Sequence, residues 1–247
     1  MRLRRAFRVG AVVATLLGGA AAGPARAPDL PPAAAKLTRL SGGRVQLALT
    51  NGSQEPMTAF AVYIELTLPG VAAPHPHSIR IVDSVLNPRD QEVMPGDTHR
   101  LTFGGVVGPG GVVSPPKVTL EAAVFADGST FGDPSWVQRI IADRKTAYQN
   151  IGVAIRELQS AQASGETRQQ LVARFAALKQ QALRCCRQHY QGLIGSMPFD
   201  EVWFNLQHST LLGRGPTPLR TLIPLAVHQL AQWRQRLYQA KPSVIGP

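Results

Sequence analysis

The sequence predicts a segregated α+β protein: an antiparallel β-sandwich followed by an α-helical hairpin or small helical bundle. Three observations carry this. Apolar residues recur at every second position up to Asp133-Pro134 and at every third or fourth position afterwards. Glycine and proline divide the first part into short runs and are rarer in the second. The charge changes sign at the same point. Residues 28–134 hold seven Lys/Arg against ten Asp/Glu, a net of −3, whereas residues 135–247 hold fourteen against five, a net of +9.

The chain opens with an export signal, read over residues 1–27. Arg2, Arg4, Arg5 and Arg8 form a basic start, Val9 to Ala22 a short apolar core, and Gly23 to Ala27 a small-residue exit. At ~1.5 Å per residue a helical core of this length falls short of a ~30 Å hydrocarbon layer, so removal is expected rather than anchoring. Cleavage after Ala22, Ala25 or Ala27 fits, although Pro28 disfavours the last. Arg4-Arg5-Ala6-Phe7 also permits a twin-arginine route beside the general secretory one. The expected location is periplasmic or extracellular. The whole chain carries +11, but five arginines of that excess belong to the signal. Its 44% hydrophobic content is enough for a packed core. The only cysteines, Cys185 and Cys186, are adjacent, which rules out a disulfide framework.

A Pro/Ala-rich linker is read over residues 28–35, and the sandwich over 36–133. Val45, Leu47 and Leu49 alternate with polar or small residues before the turn Asn51-Gly52-Ser53. Phe60, Val62, Ile64 and Leu66 alternate up to Pro69-Gly70. Ile79-Arg80-Ile81 and Leu101-Thr102-Phe103 are shorter candidates, and Val118, Leu120, Ala122 and Val124 form a longer one. One apolar face per sheet is expected.

Asn51-Gly52-Ser53, Thr58-Ala59-Phe60, Pro95-Gly96-Asp97 and Ala123-Val124-Phe125-Ala126-Asp127-Gly128-Ser129 together resemble the immunoglobulin-like or fibronectin type III-like modules of exported bacterial proteins. The resemblance covers roughly residues 36–133 and rests on turn chemistry. It implies an immunoglobulin-like sandwich with a binding or spacing role, and it supplies no catalytic residue. The buried Trp and bridging Cys pair of antibody-type domains are absent from this stretch.

The helical region is read over residues 134–240, with 241–247 as a tail. Asp133-Pro134 is a helix entry, a carboxylate cap followed by proline in the first turn. Val137, Ile141, Tyr148, Ile151, Ile155 and Leu158 form one stripe, interrupted at Arg144, and Ser164-Gly165 ends it. Thr167 and Gln170 form a capping box for a second helix, with a stripe of Leu171, Phe175, Leu178, Ala182, Cys186, Tyr190 and Leu193. These two helices are expected to pack antiparallel. A third is expected over Asp200 to Leu212. A fourth follows Pro218, with Pro224 inside it and Leu230, Trp233 and Leu237 turned inward.

Candidate chemistry is sparse. Cys185 and His189 stand at i and i+4 and are weak metal candidates, with His208 or His228 as further ligands; two ligands do not complete a shell. The run Asp127 to Asp133 spaces oxygens like part of a calcium loop but lacks its terminal Glu, and Asp-Gly is also a hairpin turn. His75-Pro76-His77 reads as an extended loop. His208-Ser209 is an adjacency, not a triad. There is no Gly-x-Ser-x-Gly elbow, His-Glu-x-x-His, phosphate loop or dinucleotide fingerprint. The helical half holds only Asp143, Glu157, Glu166, Asp200 and Glu201 as acids, few for a glycan cleft.

The expectation is an exported, non-catalytic binding or scaffolding protein of the bacterial cell envelope. Its partner would be another envelope protein, a cell-wall polymer or an anionic lipid surface, with no cofactor and no nucleic acid. Arg174, Arg184, Arg187, Arg234 and Arg236 are the candidate ligand- or lipid-binding residues. The alternatives are an envelope-polymer hydrolase with a site between sandwich and helices, and a helical protein attached to anionic lipid.

Overall fold

The protein is described by a computed structural model covering residues 33–39, 45–65, 77–87, 90–103, 117–185, 191–208 and 217–242. The export signal, most of the linker, His75-Pro76, Cys186 to Tyr190, Ser209 and the last five residues lie outside these. The chain is mixed α+β, with strands first and helices after. Among the described residues seven strands form two antiparallel sheets, followed by four helices. The first sheet orders β1 (Ala33–Arg39), β2 (Val45–Asn51) and β5 (Thr98–Phe103). The second orders β4 (His77–Asp83), β3 (Met57–Glu65), β6 (Lys117–Phe125) and β7 (Thr130–Gly132). β1 begins at Ala33, inside the expected linker, and pairs with β2 in register Ala35 to Leu49. Its Ala-rich run carries no alternation, so nothing local marks it as a strand. The Asp127-Gly128 dipeptide announces the hairpin to β7, but three residues are too few to show a period.

Leu47 and Leu49 of one sheet pack with Phe60, Val62, Ala123 and Phe125 of the other. The second sheet is buried on both faces, not one. Its outer face, Ala59, Ala61, Ala122 and Val124, packs against Val137 and Ile140 of helix α1 (Pro134–Ser164). Small residues on β3 and β6 let the helix approach. A bulge sets this up. Ala61 pairs with Ala122 but Val62 pairs with Leu120, so Glu121 is the extra residue. The alternation of Val118, Leu120, Ala122 and Val124 therefore splits. Val118 and Leu120 join the inter-sheet cluster, while Ala122 and Val124 turn to the helix.

Gly132 is needed at this bulge. Its φ is +95°, and a Cβ there would lie 2.1 Å from the Glu121 carbonyl oxygen. That same oxygen accepts from the Asp133 amide at 2.7 Å. Gly132→Ala is expected to lower unfolding free energy by at least about 2 kcal/mol in urea denaturation; a loss under about 0.5 kcal/mol would show that the bulge adapts freely.

Asn51 is buried and ties the β2–β3 connection to the β4–β5 connection. Its Nδ2 donates to Glu55 O (2.8 Å) and Val93 O (2.7 Å), and its Oδ1 accepts from Ser53 N (3.0 Å) and Ser53 Oγ (2.7 Å). Asn51→Ala removes one of two donors from each of the Glu55 and Val93 carbonyls, which keep Ser53 Oγ and Met57 N, and is expected to remove about 1–2 kcal/mol, read in the same denaturation.

α1 starts as its sequence indicates. The Asp133 carboxylate accepts from Ser135 N at 2.7 Å, and Gly165 closes the helix at φ +70°. Asp133 is held below the usual carboxylate range by that hydrogen bond. Thr167 N donates to Gln170 Oε1 at 2.8 Å at the head of α2 (Arg168–Cys185). The pair Arg174–Glu157, placed evenly about the Gly165 turn, is that of an antiparallel hairpin. The closest backbone packing of α2, however, is with α3 (Gln191–His208), which also packs on α1. α3 begins nine residues before the expected Asp200, so Leu193 belongs to α3 and not to the α2 stripe; the expected end at Leu212 lies outside the described residues. Pro198 lies within it, although proline is ordinarily tolerated only in the first turn of a helix. α4 (Leu219–Gln239) runs through Pro224 against α1, with Leu230, Trp233 and Leu237 buried as expected.

Candidate functional site

The inward face of α1 is rotated from the expected stripe. Ile141, Tyr148 and Ile155 are only half-buried, whereas Ile140, Asp143, Arg144, Ala147, Ala154 and Ala161 are buried. Arg144 does not interrupt the seam; it is the centre of the junction between sheets and helices. Its side chain is fully buried, and that of its partner Asp83 is 2% exposed. Nε donates to Asp83 Oδ2 at 2.7 Å and Nη2 to Asp83 Oδ1 at 3.1 Å, a bidentate pair. Nη2 also donates to Thr58 Oγ1 (3.0 Å), and Nη1 to the Lys241 carbonyl (3.2 Å). Together these bonds join β3, β4, α1 and the chain just past α4. Asp83 Oδ1 in addition accepts from Val85 N (3.0 Å) and Leu86 N (3.2 Å). That turn delivers Val85 and Leu86 into the helical core, where Trp233 Nε1 donates to Val85 O at 3.2 Å.

Beside this pair lies Asp143, fully buried, with neither carboxylate oxygen hydrogen-bonded among the described residues. Burial pushes its carboxyl up to about 6, against a lowering by the Arg139 guanidinium and a further raising by Asp83.

A cleft of about 380 Å3 opens next to the junction. Thr58 and Ser84 line it, with Asp90 and Glu92 from the β4–β5 connection and Arg236 and Lys241 from the end of the helical half. Both of its hydroxyls are engaged as donors to main-chain carbonyls: Ser84 Oγ to Thr58 O (3.0 Å) and Thr58 Oγ1 to Val124 O (3.2 Å).

The five arginines named from sequence do not act alike. Arg174 bridges Glu157 (3.2 Å) and Glu166 (2.6 Å), so its charge is answered within the protein. Arg184 is exposed and donates to Gln180 O. Arg234 lies over the Tyr148 ring at 4.4 Å, and Arg236 lines the cleft. Arg187 and His189 lie outside the described residues, as does the side chain of Cys185. His208 stacks on Phe204 at 4.4 Å and His228 Nε2 contacts Gln232. Among the described residues no group of three or more His, Cys, Asp or Glu could hold a metal ion. Asp127 accepts from Ser129 N and Oγ, which hold its carboxyl below the usual range, and Asp133 is the helix cap. The calcium-like spacing is thus used for a turn and a cap. Asp200 pairs with Lys179, and Glu201 bonds Asn205.

No family model matches the chain, and no curated protein matches it. A solved structure of a hypothetical protein from Peptoclostridium difficile 630 is similar at 10% identity and a TM-score of 0.29, covering 46% of this chain and 92% of its own. Likeness of that size establishes no shared fold. No helix among the described residues is long and apolar enough to cross a membrane.

Proposed function

We propose that this is an exported, non-catalytic binding or scaffolding protein of the bacterial cell envelope, built on an immunoglobulin-like sandwich. The observation that carries the reading is the state of the junction cleft. A nucleophilic hydroxyl must give its proton to a base, but Thr58 and Ser84 both give theirs to backbone carbonyls. The Asp83–Arg144 pair locks the two halves together beside the cleft, which suits a surface that presents a fixed shape. The sandwich reading is supported by strands divided three and four between antiparallel sheets, with β2 and β3 in different sheets. Export is supported by the basic start and short apolar core of residues 1–27.

The test is co-sedimentation of the purified protein with insoluble cell-wall polymer, scored together with soluble fragments released. Retention without release is expected. Release that falls at least 100-fold in Asp90→Asn or Glu92→Gln would replace this reading with the hydrolase, since those two carboxylates face the cleft.

A further inference from the structure

We propose that Arg156 and Arg234 form a binding site for a phosphate-type oxyanion over Gly152. Gly152 is buried in the middle of α1, where glycine is disfavoured unless space is needed. The point a Cβ would occupy there lies 3.6 Å from Arg156 Nη1 and 3.6 Å from both Cζ and Nη2 of Arg234. Two guanidinium groups, one from α1 and one from α4, therefore converge on the same spot. Neither has a carboxylate within ion-pair distance among the described residues. α4 carries no acid; of the acids of α1, Glu157 pairs with Arg174, and Asp143 is buried nine residues before Gly152.

Like charges brought together repel, and an oxyanion placed between them reverses the sign of that interaction. Guanidinium forks match the oxygens of a phosphate, which accept parallel N–H donors. The Arg234 group is held in place by the Tyr148 ring beneath it, and its buried Nε has no acceptor among the described residues. A positioned fork with an unanswered buried donor is what an absent acceptor would complete. Arg234 belongs to the arginines singled out from sequence; Arg156 does not, because only the α1–α4 packing brings it alongside. The oxyanion could be a free phosphate or the phosphodiester of a lipid headgroup.

The test titrates inorganic phosphate into the full chain at constant ionic strength, against chloride, by calorimetry. Saturable phosphate binding is expected, at least tenfold weaker in Arg156→Gln and in Arg234→Gln and unchanged in Arg220→Gln, an exposed residue at the start of α4. Arg156 is exposed, so its substitution leaves the fold intact, and Gly152→Ala, which meets ordinary contacts only, should weaken binding without unfolding. A parallel arm measures retention on phosphatidylglycerol vesicles. Retention lost in Arg156→Gln names the lipid as source, while phosphate binding without retention names the free anion. No binding in either arm, or equal binding by all variants, overturns the site. The inference goes beyond the envelope-binding reading and does not depend on it. Failure here leaves polymer co-sedimentation untouched, and failure there leaves this titration untouched.

Discussion

Truncating Arg144 to alanine is expected to lower the free energy of unfolding by about 3–5 kcal/mol, against the 5–15 kcal/mol typical of a whole domain. The size follows from what remains behind. Asp83, 2% exposed at its side chain, would keep a buried charge without its bidentate partner. Thr58 Oγ1 and the Lys241 carbonyl would each lose a donor as well. The deficit should be largely recovered when both charges are removed together, as in Asp83→Leu with Arg144→Met, because replacing a buried pair by apolar groups is often neutral. Urea denaturation of the two singles and the double gives the coupling directly. A single-variant loss below about 1 kcal/mol would mean that the junction is not held by this pair. The same variants should separate the two halves before global unfolding, seen as Trp233 fluorescence changing ahead of the strand signal in circular dichroism, since the Trp233 indole bonds the Val85 carbonyl that Asp83 positions.

The second large effect concerns pH. Asp143 has a folded-state pKa raised to about 6 from an ordinary value of 3.8, chiefly by burial. Between those values the folded protein binds more protons than the unfolded chain. The stability this group supplies is therefore fully present below about pH 3.8 and is lost as pH rises through about 6. At pH 7 the ionised, buried carboxylate opposes folding by roughly 2–3 kcal/mol, because a tenfold change in proton affinity corresponds to about 1.4 kcal/mol. Asp143→Asn cannot ionise. Relative to wild type, the variant should gain roughly 2–3 kcal/mol between pH 3.5 and pH 7, read from denaturation midpoints at the two pH values. Parallel pH profiles for the two proteins would show that Asp143 is paired in solution.

Much of the chain's order was legible in short stretches. Asp133-Pro134, Ser164-Gly165 and Thr167 with Gln170 mark helix ends because each is a contact within four residues. Asn51-Gly52-Ser53 and Asp127-Gly128-Ser129 mark turns for the same reason. Arg144 was visible only as a fault in a stripe, since its partner stands 61 residues earlier. Its signal was the pair Asp143-Arg144 at inward positions, where two charges persist only if something buried answers at least one of them. The Ala33 start of β1 and the Gln191 start of α3 had no comparable mark: one lacks alternation, and the other runs through Pro198.

By itself the amino-acid order determined the succession of strands then helices, the place where one gives way to the other, and the caps and turns between them. These rest on backbone groups and side chains a few residues apart, which meet as soon as the local chain turns, whatever the rest of the fold does. Only the tertiary structure decided that the second sheet is covered on both faces, that α2 lies on α3, that Arg144 closes on Asp83, and that Arg156 and Arg234 meet over Gly152. Each depends on segments that chain folding alone brings together, and burial is what gives a distant charge its strength there.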